Sequence, residues 1–226
     1  MQAGQRLVYN GYEVMLYPAT RLYMTQDEGA DFSHKLTKNI DIVSWNPTTQ
    51  EYKKGPLYAP CSCKCVAIWD PNSNNRVFTS LDKVWTPSGL SIVTFAMAHD
   101  DNPIASIGDT FTQGDLIAHT GKTGKVTGDH CHYNIALGSY TGYQRHIYQG
   151  KSRYDLKGSI SVWLGCYVND TTIIQGYGHN WQTFQGGEPP GPGPGPGPGP
   201  APSLPKVSKF PWVLYSNKLR DKVRKN

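Results

Sequence analysis

Seven histidines stand in this 226-residue chain, and four of them, with one aspartate, lie where they could do chemistry. The tightest context is Gly128-Asp129-His130-Cys131-His132-Tyr133. In a strand, residues two apart share a face, so His130 and His132 project together and Cys131 points away. Two imidazoles on one face suit a metal site or a base beside a metal. By itself the pair is equally a feature of a surface strand. His34 precedes Asp41 by seven residues, and Asp41 sits between Ile40 and Ile42. Alternation turns its carboxylate away from both isoleucines, to solvent or to a cation. His99 closes the run Leu90 to Ala98 and precedes Asp100-Asp101-Asn102, a strand end beside a turn, where an acid–base group is readily presented. His34, Asp41 and His132 can supply two imidazoles and a carboxylate, a donor set that catalytic zinc sites use with one position left open. His130 and His99 then remain for proton transfer and oxyanion stabilisation.

The elements that must position these groups read as strands. Leu57 to Trp69 is a turn followed by a strand, and Arg76 to Leu81, Leu90 to His99 and Cys131 to Leu137 are rich in β-branched and aromatic residues. Pro71-Asn72, Pro87-Ser88-Gly89, Asp101-Asn102-Pro103, Gly121 and Gly124 punctuate them. No long stretch has a 3.6-residue apolar period, so a β-rich domain, all-β to α+β, with long loops is expected over residues 1–185. Residues 186–202, GGEPPGPGPGPGPGPAP, lack the apolar side chains and amide donors a core needs and read as an extended linker. Residues 203–226 form a short basic tail.

The net charge of +5 is concentrated in that tail, which holds seven of the 22 Lys/Arg and one of the 17 acidic residues. The body is close to neutral, which argues against a nucleic-acid partner. Cysteines number five, and Cys61, Cys63 and Cys65 alternate. That is neither a disulfide framework nor the paired spacing of a zinc cluster, so they are expected to pack. Cys166 as a nucleophile lacks a supporting context, and His119, His146 and His179 have no partner pattern. No apolar run approaches the ~20 residues of a transmembrane helix. Residues 1–18 lack the basic and apolar segments of a secretory signal, so synthesis in the cytoplasm is expected.

The order His34…Asp41, then His99, then His130-x-His132 resembles the lysostaphin-type (LytM-like) zinc metalloendopeptidases of peptidoglycan. So do Leu57-Tyr58-Ala59-Pro60 before a strand, Ile107-Gly108-Asp109 through Gln113-Gly114-Asp115, and Thr120-Gly121-Lys122-Thr123-Gly124 ahead of Thr127-Gly128-Asp129-His130. Tyr167 to Phe184 resembles the end of phage-encoded members. The likeness spans about residues 18–185. It implies an antiparallel β-sheet domain with a groove and one Zn²⁺ per chain, held by His34, Asp41 and His132, with His99 and His130 as the catalytic pair. It further implies a bacterial peptidoglycan peptide as substrate, and a phage endolysin or virion-associated tail lysin acting on the wall after release or within the virion. Residues 203–226 could then meet a tail protein or an anionic wall polymer. A non-catalytic tail component or wall-binding protein with the same fold is the alternative. Two departures stand out: the His34–Asp41 spacing is seven where four is usual, and Cys131 replaces an apolar residue.

Overall fold

The strand Cys131–Leu137 shows how this sequence builds its sheet. Cys131, Tyr133 and Ile135 point into the main core, while His132, Asn134 and Ala136 occupy the opposite face. The neighbouring strand Ile40–Asn46 repeats the pattern, with Ile40 and Ile42 in the core and Asp41 on the other side. The chain, seen in a computed structural model, is described over residues 1–31, 33–169, 172–176 and 181–185. The linker and the basic tail expected over 186–226 lie outside the described residues, as does His179.

The strands that matter here are β1 (Arg21–Gln26), β2 (Ile40–Asn46), β3 (Cys63–Asp70), β4 (Asn75–Ser80) and β5 (Val93–Ala98). They continue with β6 (Thr110–Phe111), β7 (Cys131–Leu137), β8 (Tyr143–Tyr148), β9 (Lys151–Leu156) and β10 (Ile173–Gly176). The principal sheet runs β6-β3-β4-β5-β7-β2-β1-β10. Its pairings are antiparallel except β10 against β1. Among the described residues the α-helix is a single turn, Val162–Gly165. The expected β-rich antiparallel fold is therefore the observed one.

One sheet face is dry. Leu22, Met24, Ile42, Phe78, Phe95 and Tyr133 meet there, with Phe78 and Phe95 stacked at 5.2 Å. Cys61, Cys63, Cys65, Cys131 and Cys166 are all free and buried in this same core. Burial pushes the Cys131 thiol above its usual range and Cys166 up to about 12, so they behave as small apolar groups rather than nucleophiles.

The other face is shared. The β8–β9 hairpin covers one part, where Val77, Ala96, Ala136 and Leu156 form a second small core with Tyr143. All six residues of β5 are buried as a result, which explains its nearly unbroken apolar sequence. The rest of the face is the floor of a groove. The expected strand Leu90 to His99 is in fact two. Gly89–Ser91 pairs with Val84–Thr86, and β5 begins at Val93, where the chain joins the principal sheet.

Candidate metal centre

Register brings two of the candidate ligands together. His132 on β7 lies directly opposite Asp41 on β2, and both turn away from the core. Nδ1 of His132 is 2.9 Å from Asp41 Oδ1. The third, His34, comes from the turn-rich segment between β1 and β2 and is fully buried. Its Nε2 lies 3.2 Å from Asp41 Oδ1 and 3.2 Å from His132 Nδ1. The seven-residue spacing is thus accommodated by a loop that folds back onto the sheet. Thr37 N–H and Oγ1–H both donate to the His34 carbonyl, and Asp155 Oδ2 on β9 accepts from Lys38 N–H.

The hydrogen-bond chemistry of the three groups fits a cation. His34 Nδ1 is 2.9 Å from the Asp27 carbonyl, which can only accept, so that nitrogen carries the proton. The other nitrogen, Nε2, is then the atom that faces the carboxylate oxygen of Asp41 and the ring nitrogen of His132. Three potential ligand atoms thus converge on one point, two ring nitrogens and a carboxylate oxygen. A tetrahedral zinc with bonds of ~2.0–2.1 Å separates its ligand atoms by ~3.3 Å, close to the 2.9–3.2 Å found here. Electrostatics agree. Burial alone would raise the Asp41 pKa, but the hydrogen bonds from His132 and His34 hold its carboxyl well below the usual range. Burial lowers His132, with Asp41 opposing. The site prefers a carboxylate facing positive charge, whether protons or a metal supply it.

Gln26 is a member of this site that sequence reasoning missed. It pairs with Asp41 just after a register shift between Met24 and Gln26. With its amide nitrogen turned to the acceptors, Gln26 Nε2 donates to Asp41 Oδ2 at 3.3 Å, and its oxygen accepts from Ser33 N–H at 3.0 Å. One side chain thus links the carboxylate to the residue beside His34.

The expected catalytic pair stands next to the candidate ligands. His99 and His130 have ring centroids 4.8 Å apart, and His99 and His132 6.1 Å. His99 Nδ1 lies 2.8 Å from the Thr123 carbonyl, and His130 Nδ1 lies 3.0 Å from the Gly128 carbonyl. Each Nδ1 must donate, which leaves each Nε2 as the ring nitrogen turned away from the anchoring carbonyl. His130 Nε2 is 3.7 Å from Asp41 Oδ2. Burial, with the nearby His132, pushes His99 down to about 4, so it is a neutral imidazole at neutral pH.

Loops hold this pair. His99 has φ 78°, in the left-handed region, at a cost of ~1–3 kcal/mol for a non-glycine residue. Its amide donates to Ser73 O and its carbonyl accepts from Thr123 N–H. Gly121 and His130 exchange backbone hydrogen bonds. A Cβ on Gly121 would overlap the His99 carbonyl oxygen and the Asp101 amide, so only glycine fits where the two loops touch. The remaining histidines lie elsewhere. His146 pairs with Asp155 at 2.9 Å, and His119 faces Asp100 at 3.8 Å, partners the sequence did not reveal.

The groove above this site has a volume of about 880 Å³ and runs from His99, His132 and Asp41 to Trp69, Tyr143 and Tyr154.

No protein-family model matches the chain. It is 33% identical over 176 residues to Morphogenesis protein 1 of Bacillus phage B103, a match that covers 76% of this chain and 45% of that protein. The chain thus spans about half the length of this curated relative. Among solved structures it is similar to the catalytic domain of the antimicrobial peptidase lysostaphin from Staphylococcus simulans, at 18% identity over 53% of this chain and 80% of that one, with a TM-score of 0.38. It is also similar to the catalytic domain of the prophage-encoded protein EnpA from Enterococcus faecalis, at 17% identity over 52% and 82%, with a TM-score of 0.38. These neighbours are lysostaphin-type peptidase domains. Among the described residues no helix is long and apolar enough to cross a membrane.

Proposed function

We propose that this chain is a zinc endopeptidase that cleaves peptide bonds in the stems or cross-bridges of bacterial peptidoglycan on behalf of a phage. One observation carries the reading: His34 Nε2, Asp41 Oδ1 and His132 Nδ1 converge within 3.2 Å of one another beside two further imidazoles anchored through Nδ1. His34, Asp41 and His132 would hold the ion. Zinc bound there lowers the pKa of water toward ~7 and polarises a carbonyl.

The other side chains do the rest. The Asp27 carbonyl keeps His34 in the tautomer whose Nε2 is a ligand. Gln26 orients Asp41. The carbonyls of Thr123 and Gly128 hold His99 and His130 through Nδ1, which leaves Nε2 of each for proton transfer. One of these imidazoles accepts the proton of the attacking water and returns it to the departing amine nitrogen. The other would take up a proton from solvent and donate a hydrogen bond through it to the developing oxyanion.

The likeness to a phage morphogenesis protein supports a virion-associated lysin over a freely released one. The same name favours the second reading, a structural phage component that keeps the fold without hydrolysis. Turbidity loss of purified Gram-positive walls separates them. Lysis by the wild type is expected to disappear with chelator, return with zinc, and be absent in His130→Ala. Intact walls in the presence of zinc-loaded protein support the structural reading.

A further inference from the structure

At the end of the groove away from the histidines stand three aromatic rings that the chemistry above does not use. Tyr143 on β8 stacks on Trp69 at the end of β3, with centroids 4.1 Å apart and planes 23° from parallel. The Tyr143 hydroxyl donates to Asn75 Oδ1 at 3.0 Å, which fixes the ring. Trp69 is thus pinned on one side yet 38% exposed. Tyr154 on β9 lies 5.0 Å from Trp69, tilted by 56°, and is 37% exposed. The pair presents two rigid faces at an angle, lining the same groove as Asp41, His99 and His132.

This platform is tied to the metal centre. The Tyr154 carbonyl accepts from Asn39 Nδ2 at 2.7 Å, and Asn39 is two residues from Asp41. Motion of the β8–β9 hairpin would therefore disturb the ligand strand, so the aromatic end and the histidine end form one surface.

The lining around the rings is mixed, with Asp70 and Arg153 standing among uncharged polar side chains. Asn72, Ser73, Asn75 and Ser152 offer amides and hydroxyls. The nearby carboxylate of Asp70 already accepts from Asn72 N–H and Ser73 Oγ–H. Like charges are not gathered there to select an ionic ligand. Exposed aromatic faces beside a mixed set of hydrogen-bonding groups with no excess of one charge suit a ligand with an apolar C–H face and a hydroxylated or amide-bearing edge. A pyranose ring has that form, and an acetamido sugar adds an amide.

We infer that Trp69 and Tyr154 form a carbohydrate subsite that takes an N-acetylated amino sugar of the glycan strand while the attached peptide lies across the histidine end. The assignment rests on the peptidoglycan reading, in which a substrate that joins sugar to peptide would use both ends of one groove. The rings cost little conformational entropy on binding, since Tyr143 already orders Trp69.

Two experiments on the full chain test it. The first is titration with N-acetylglucosamine tetrasaccharide, following the Trp69 indole N–H by NMR, assigned by its disappearance in Trp69→Phe. The resonance is expected to shift saturably, and Tyr154→Leu is expected to weaken binding about tenfold. This readout needs no cleavage, so it decides the subsite even where the peptidase reading fails. The second compares cleavage of intact peptidoglycan with that of the same peptides freed from glycan. Trp69→Ala and Tyr154→Leu are expected to lower the ratio of kcat/KM for the two substrates about tenfold, chiefly through KM. Trp69→Phe should recover part of it. An unmoved Trp69 resonance at millimolar saccharide, or equal losses on both substrates in variants with wild-type melting curves, overturns the subsite. Failure of the wild type on both substrates would instead count against the peptidase.

Discussion

The two halves of the candidate site are built by opposite means. Asp41 and His132 are cross-strand partners in the principal sheet, and their positions follow from register. His99 and His130 are set from outside the sheet, by loop carbonyls, a left-handed backbone at His99 and a glycine contact at Gly121. A sheet fixes the separation of facing side chains, as a metal site demands. Loops fix direction, as proton transfer demands. The two halves should therefore fail separately.

The largest effects test that separation. Asp41→Ala and His132→Ala are expected to lose both bound zinc and activity. His130→Ala should keep one zinc per chain and lose activity about a hundred- to ten-thousand-fold. Metal analysis beside a cleavage assay checks this, and loss of zinc in His130→Ala would erase the distinction. Gly121→Val should act like His130→Ala, since a side chain there must push His99 and its loop aside while β2 and β7 stay paired. A fully active Gly121→Val would show that His99 does not depend on that contact.

A smaller effect is expected at Gln26. Gln26→Leu removes a donor to Asp41 and the link to Ser33, and should weaken zinc affinity about 10–100-fold. Competition with a chromogenic chelator reads this directly, and Gln26→Glu should not rescue it, because a carboxylate cannot donate.

Protonation gives the next test. In metal-free protein, His99 is held neutral down to about pH 4, whereas in the unfolded chain it takes a proton near 6.5. Between these values the unfolded state binds more protons, so stability falls as pH drops through that window. Denaturant melts of His99→Gln should show a shallower fall. A slope identical to the wild type would mean the fall arises elsewhere. The smallest effect belongs to His119, whose pKa is raised by Asp100. Its contribution is present below the unfolded value of ~6.5 and is lost as pH rises through the raised value. His119→Ala should lower Tm slightly at pH 6 and not at pH 8.5.

How far the sequence could be read follows from the same contrast. The run CHYNIAL alternates cleanly, so β7, the shared face of His132 and the inward turn of Cys131 were all legible. Asp41 between two isoleucines was legible for the same reason. The five candidate histidine and aspartate positions do assemble in one place. Hidden were the parts that depend on the third dimension. The Gln26–Asp41 link arises from a register shift in β1. The carbonyls of Asp27, Thr123 and Gly128 that set the tautomers carry no side-chain signature. The β8–β9 hairpin was missed because its strands pair only with each other and are mostly half-buried, so they lack a strong apolar alternation. The break before Val93 was invisible because Leu90 and Val93 are equally at home in a strand.

The most direct test of the central claim is mass spectrometry of purified Gram-positive peptidoglycan after incubation with wild type and His130→Ala, each carrying one zinc per chain. New peptide amino termini at one defined bond, formed by the wild type alone, are the expected result. Peptides left uncut by the zinc-loaded wild type, or cut equally by both proteins, would contradict it.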